Sequence, residues 1–217
     1  LMSKKEYNEI FLAGVGTTPQ ILTECIYYYY HSYYGQNRYF DRIKVFTTNR
    51  GTKKLLDSLF KEKKINKLEQ ALQLPIGSLP FDKNDIILFS NKDGSPIEDL
   101  RTTEETDRAI TILYSEIKRW SQDKNVRITA TVAGGRKTMS AAMALAFQLY
   151  AREHDELIHI MAPDEKMDTS SKKAQNWFFP SDPTDPKQKL DVIQVPIIKV
   201  GRYLGHDLNI SPEALAE

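Results

Sequence analysis

Three observations predict an α/β fold, with a mostly parallel sheet carrying helices on both faces, a Rossmann-like three-layer sandwich. Short apolar runs recur along the 217 residues, most ending in a turn that bears glycine or threonine, and helical signals follow those turns. The order strand, turn, helix favours parallel pairing, because parallel strands need a crossover to return the chain.

The first strand is 9–14, Glu9-Ile10-Phe11-Leu12-Ala13-Gly14. The turn Val15-Gly16-Thr17-Thr18 follows, and a helix opens at Pro19 and runs through Tyr27-Tyr28-Tyr29-Tyr30. Proline suits a first helical position, where its missing N–H is not needed. Thr18 reads as the N-cap, and Thr17 with Gln20 as a rival capping box. The second strand is 42–48, and Asn49-Arg50-Gly51 turns it into a helix over 52–61. The third strand is 85–90. A polar turn and Asp99-Leu100-Arg101 then lead to a long helix over 103–121. Ile110, Leu113, Ile117 and Trp120 recur there at the helical period, and Thr102 with Glu105 forms its capping box. The fourth strand, 126–133, ends in Gly134-Gly135-Arg136-Lys137-Thr138 before a helix over 139–150 that is apolar on nearly every side and so expected to be buried. The fifth strand is 157–162, and the last is 191–200. One domain over 1–210 accounts for the pattern. Residues 163–190 read as a flap or loop insertion and 211–217 as a tail.

Composition narrows the function. Hydrophobic residues make up 41% and charged residues 27%, as in globular chains. No apolar run reaches the ~18 residues of a membrane span, and the polar start has no signal-peptide pattern. Cys25 is the only cysteine, so no disulfide forms within the chain, and a cytoplasmic setting is expected. Cys25 falls on an apolar helix face and reads as core. A net charge of +1 argues against a duplex DNA partner and for a small anion held in one focused pocket. His31, His154, His159 and His206 are scattered without metal-ligand spacing, so neither metal nor cofactor is expected.

Ligands of open α/β sheets bind beyond the carboxyl ends of the strands. Four segments converge there, 14–18, 47–51, 99–102 and 134–138. Glycine lets backbone N–H groups approach an anion, and a helix N-terminus adds partial positive charge. The expected ligand contacts are Gly14, Gly16, Thr17, Gln20, Thr48, Asn49, Arg50, Thr102, Gly134, Gly135, Arg136 and Thr138. Some of these features also have plain structural readings: Gly134-Gly135 as a tight turn, Thr18 as a cap, Arg101 as the partner of a nearby carboxylate. The run 134–138 is not a Walker A loop, which needs a longer glycine-bounded spacing. A nicotinamide dehydrogenase calls for an acid closing the second strand, where this chain has Thr47-Thr48-Asn49-Arg50. Trp177-Phe178-Phe179-Pro180 reads either as a base-stacking element or as an anchor for the flap. Residues 27–30 with Tyr33 and Tyr34 read as a surface or subunit contact. Arg202 and His206 have the spacing of an effector-RNase motif, with no helical domain around them.

Leu12-Ala13-Gly14-Val15-Gly16-Thr17-Thr18-Pro19-Gln20, Thr47-Thr48-Asn49-Arg50-Gly51, Asp99-Leu100-Arg101-Thr102 and Ala133-Gly134-Gly135-Arg136-Lys137-Thr138-Met139 fall in one order. In that order the chain resembles the standalone ring nucleases of the CARF (CRISPR-associated Rossmann fold) superfamily. Phe178-Phe179-Pro180 and Val195-Pro196 are similar to later features of those proteins. The resemblance implies a homodimer that binds cyclic tetra-adenylate, the messenger of type III CRISPR defence. It further implies metal-independent cleavage to linear di-adenylate with a 2′,3′-cyclic phosphate, which switches signalling off. The catalytic positions it implies are Thr18, Arg101 and Lys137. A non-cleaving CARF sensor that regulates a fused or partner effector is the alternative.

Overall fold

The computed structural model describes residues 7–163 and 176–200. The elements run β1 (Asn8–Gly14), α1 (Gln20–Tyr30), β2 (Arg42–Thr47), α2 (Asn49–Leu55), α3 (Lys64–Ala71), β3 (Ile86–Leu88), α4 (Thr103–Ser121), β4 (Val126–Thr131), α5 (Lys137–Tyr150), β5 (Glu156–Met161) and β6 (Asp191–Gln194). They build one six-stranded sheet in the order β3-β2-β1-β4-β5-β6. Five strands are parallel, and β6 pairs antiparallel with β5. This is the α/β Rossmann-like order. From β1 the chain steps outward to β2 and β3, then crosses back to place β4 on the other side of β1. The crevice between the carboxyl ends of β1 and β4 is therefore the switch point.

Strand alternation explains the layers. Phe11, Ala13, Ile43 and Val45 face one side and pack with Leu22, Ile26, Leu55, Leu59, Ile65 and Leu68 from α1, α2 and its continuation, and α3. Ile10, Leu12, Ile128 and Ala130 face the other and pack with Leu113, Ile117, Met143 and Phe147 of α4 and α5. Each fully buried leucine, isoleucine or phenylalanine contributes about 1.5–3 kcal/mol. Cys25 is fully buried in the first layer, as its helical position requires.

The amino end of the sheet is pinned by ions. Glu9 on β1, only 2% exposed, accepts from Arg38 Nε at 3.0 Å and Arg127 Nε at 2.8 Å. Arg38 also donates to Glu156 at the start of β5 (2.7 Å) and to Thr129 of β4.

Several expectations need correction. Residues 49–51 are the first turn of α2 rather than a turn before it, because the Thr48 side chain caps the helix by accepting from Gly51 N–H. Beyond α2 the helix continues as a wider π-turn over Leu56–Lys61. Helix α3 was not anticipated. The last strand stops at Gln194, since Pro196 has no N–H and restricts the residue before it. Helix α5 is not buried all round: Ala141 and Leu145 are exposed on its outer face. Tyr27, Tyr29 and Tyr30 are core residues: Tyr27 stacks on Phe179, and Tyr29 and Tyr30 pack edge-on and tilted against Phe40, so the tyrosine cluster is mostly internal packing and only Tyr33 of it is well exposed. Of the two readings of residues 177–180, the structure has the anchor. Phe178 is buried, its carbonyl accepts from Thr23 Oγ1 at 2.6 Å, and Phe179 stacks on Tyr27. Residues 164–175 of the expected flap, the tail 211–217 and the Arg202 and His206 pair lie outside the described residues. Among the described residues no helix is long and apolar enough to cross a membrane.

Candidate functional site

Helices α1, α2, α4 and α5 start at the carboxyl edge of the sheet, and their N-termini are finished in two ways. Helices α2 and α4 carry threonine caps. Thr102 accepts from Glu105 N–H while the Glu105 carboxylate accepts from Thr102 N–H, a complete capping box. Helices α1 and α5, which flank the switch point, have no side-chain cap. In their first turns Leu22 N–H turns back onto the Pro19 carbonyl and Met139 N–H onto the Arg136 carbonyl, and the helix dipole adds partial positive charge at both starts. Neither expected cap of α1 forms: Pro19 already has helical angles (φ −67, ψ −15) and takes the cap position.

Glycine brings the two flanking turns together. Gly134 has φ +112, and a Cβ there would meet the Gly14 carbonyl oxygen at 2.7 Å. A Cβ on Gly16 would stand 3.2 Å from Gly135 Cα. The β1 and β4 turns thus touch backbone to backbone, which only hydrogen side chains permit.

Two clefts open there. The smaller, about 310 Å³, is lined by Val15, Gly16, Thr17, Thr48, Arg50, Asp99, Gly135, Arg136 and Met139. The larger, about 760 Å³, includes Arg101, Thr102, Asp107, Lys137 and Thr138. Gly135 and Arg136 line both, so the clefts share that wall. Their charged lining is four cations, Arg50, Arg101, Arg136 and Lys137, against the carboxylates Asp99 and Asp107.

The expected site residues separate accordingly. Gly16, Thr17, Thr48, Arg50, Arg101, Thr102, Gly135, Arg136, Lys137 and Thr138 are cleft residues. Thr48 and Thr102 also cap their helices, each with its hydroxyl oxygen as the acceptor. Thr18 is exposed, one residue beyond Thr17, and is not in either lining. Gly14 is buried beneath Met139, Gly134 is half-buried above it, and Gln20 opens α1. Asn49 donates to Glu98, tying α2 to the segment before Arg101.

Asp99 is the residue that sequence reasoning passed over. Arg136 grips it side-on, Nε to Oδ1 at 3.1 Å and Nη2 to Oδ2 at 2.5 Å. Arg101 and Arg50 stand 3.6 and 3.8 Å from the same carboxylate. The Arg136 bonds hold the Asp99 carboxyl below the ordinary aspartate range, against the opposing pull of desolvation. A charge count on the converging turns is the signal that points to it: three arginines meeting at one place call for an acid.

Residues 18–215 match the family described as CRISPR-associated protein NE0113. The chain belongs to this family. No curated protein matches the chain. Among solved structures, Enterococcus italicus Csm6 bound to cyclic hexa-2'-fluoro-hexa-dAMP is similar, with a TM-score of 0.47 and 12% identity over 90% of this chain. The family member described here spans 43% of that Csm6 chain. Among its described residues there is no group of three or more histidine, cysteine, aspartate or glutamate side chains placed to hold a metal.

Proposed function

We propose that this protein is a metal-independent ring nuclease that binds cyclic tetra-adenylate and cuts it to linear di-adenylate. Membership of a CRISPR-associated family, and a motif order that resembles that of CARF proteins, support the substrate class. The single observation that carries the reading is the meeting of Arg50, Arg101, Arg136 and Lys137 around paired clefts whose floor is glycine backbone. The two uncapped helix starts beside it add N–H groups and partial positive charge.

The chemistry asks little of the protein. The ribose 2′-oxygen attacks the adjacent phosphorus, the bond to the 5′-oxygen breaks, and a 2′,3′-cyclic phosphate remains. The 2′-hydroxyl gives up its proton and the leaving 5′-oxygen takes one. Holding these atoms in line supplies part of the acceleration, up to about 7–11 kcal/mol in ideal cases. Lys137 and Arg101 in the larger cleft neutralise charge gathering on the phosphoryl oxygens. Gly16 and Thr17 in the smaller cleft, with Thr18 next to them, position phosphate and ribose. A homodimer, with its two-fold axis on that of the ring, completes the reading. Its biological result is the end of type III CRISPR signalling.

The test is incubation with cyclic tetra-adenylate in EDTA, with products separated by liquid chromatography and mass spectrometry. Linear di-adenylate with a cyclic phosphate end is expected. Intact ring that co-elutes with the protein makes it a sensor, and no binding at all overturns the substrate class.

A further inference from the structure

We propose that Asp99 is the positioning residue of this site: its carboxylate gathers arginines from three separate segments and fixes Arg136 as the partition between the two clefts. The proposal rests on the oligoadenylate reading for the identity of the ligand, but the clamp stands on its own geometry.

The anchor is rigid. Asp99 Oδ1 accepts from its neighbour's Leu100 N–H at 2.9 Å, and Leu100 is buried in the core below. The segment before it is tied to the start of α2, with Asn49 N–H on the Ile97 carbonyl (2.8 Å) and Arg50 N–H on the Glu98 carbonyl (3.2 Å). The Asp99 side chain is 12% exposed, whereas those of Arg136, Arg50 and Arg101 are 53, 58 and 73% exposed. A half-buried, anchored acid therefore faces long, exposed cations.

Arg136 most needs such a partner. It follows two glycines at positive φ, +112 and +70, whose missing side chains cannot pack against it. Its Nε–H and one Nη2–H go to Asp99. Nη1 and the remaining Nη2 hydrogen stay available for an anion, and a guanidinium holds five such hydrogens in a fixed fork. Asp99 thus orders the donor without consuming it. Arg50 lines the smaller cleft and Arg101 the larger, and both face the Oδ2 that Arg136 also holds. One carboxylate aligns cations on both sides of the wall.

The experiment compares the wild type with Asp99→Asn and Asp99→Ala. Asparagine keeps the shape and the Leu100 contact, which covers the case of a loop that alanine loosens. Binding is titrated with the 2′-deoxy form of cyclic tetra-adenylate, which lacks the attacking hydroxyl and stays intact, and, separately, with inorganic pyrophosphate. Hydrogen exchange of the Arg136 Nε–H is followed by NMR. Ring binding weakens about tenfold in the asparagine variant, the equivalent of an oriented charge-assisted contact. Pyrophosphate binding holds or tightens, because one negative charge has left the clamp. Arg136 Nε–H exchange speeds up in the alanine variant. Tighter binding of both ligands means that Asp99 merely opposes anions, and weaker binding of both means general damage; either overturns the proposal. If the wild type ignores the ring, the oligoadenylate reading falls. The exchange rate then decides Asp99: faster exchange in the alanine variant upholds the clamp, and unchanged exchange overturns it.

Discussion

Replacing Gly134 by alanine tests whether backbone contact between the β1 and β4 turns holds the site together. A methyl at this position would lie 2.7 Å from the Gly14 carbonyl oxygen and 3.0 Å from Ile21 Cδ1. The carbonyl belongs to the end of a buried strand and has little room to retreat. Gly134 also has φ +112, which penalises any side chain. Gly77 separates the two effects: its φ is +82, yet a Cβ there would meet nothing within 4 Å. Alanine at Gly77 pays for backbone strain alone, and alanine at Gly134 adds overpacking of about 1–3 kcal/mol. In a chain of this size each kcal/mol lowers the melting temperature by about 2–4 °C, so Gly134→Ala should melt about 2–12 °C below Gly77→Ala. Differential scanning calorimetry of the two variants and the wild type measures this directly. Equal melting temperatures for the two variants would refute the packing argument and leave the glycine pair as an ordinary turn.

Other outcomes follow from the same geometry. Lys137 is exposed at the start of α5 and has no ion pair among the described residues, so Lys137→Ala should leave the melting temperature within about 2 °C. The same change should cut ring turnover at least about tenfold, and unchanged turnover removes Lys137 from the chemistry. Because Arg136 depresses the Asp99 carboxyl, its contribution to stability is present above the unfolded value of about 3.9 and is lost as pH falls through the lower folded value. The stability gap between wild type and Asp99→Asn, read from urea melts, should therefore be full at pH 7 and shrink below about pH 4; a gap constant down to pH 3 contradicts the pairing. Cys25 is fully buried and burial raises its thiol well above the ordinary range, so a thiol reagent should label it only after unfolding. Rapid labelling of native protein would show that α1 opens readily.

The main chain of the fold was legible where local chemistry and period agreed. Helix α4 begins and ends where its capping box and apolar spacing place it. The turn after β1 and the glycine run after β4 lie at the switch point, as short apolar strands ending in glycine imply. Helix α3 was hidden because it offers few apolar positions. Ile65 and Leu68 alone are its buried hydrophobics, and Leu72 extends the same face at i, i+3, i+7. The start of α2 was misread because Gly51 looks like a turn former. Its real role is close approach: a Cβ there would run into the Thr47 hydroxyl and the Val15 and Gly16 carbonyls. The tyrosines misled for a related reason, since four in a row cannot show which face of α1 a later segment will cover. Phe179 and Phe40 arrive from elsewhere in the chain to bury them. Within the site, cations were visible as a pattern, whereas Asp99 gains its meaning only when Arg50 and Arg136 arrive from elsewhere in the chain to join its neighbour Arg101.

The ion cluster at the foot of the sheet and the glycine contacts at its top hold the same two strands at opposite ends. Glu9 joins β1 to Arg127 of β4, the two strands that bound the crevice, at the end opposite the clefts. From Glu9 to Gly14 the strand runs about 17 Å at roughly 3.3 Å per residue. The pair is fastened twice, by ions at the foot and by glycine backbone at the top, with the strand ladder between. The aperture between the turns therefore depends on hydrogen side chains at Gly16 and Gly134, whatever the ions at the foot supply.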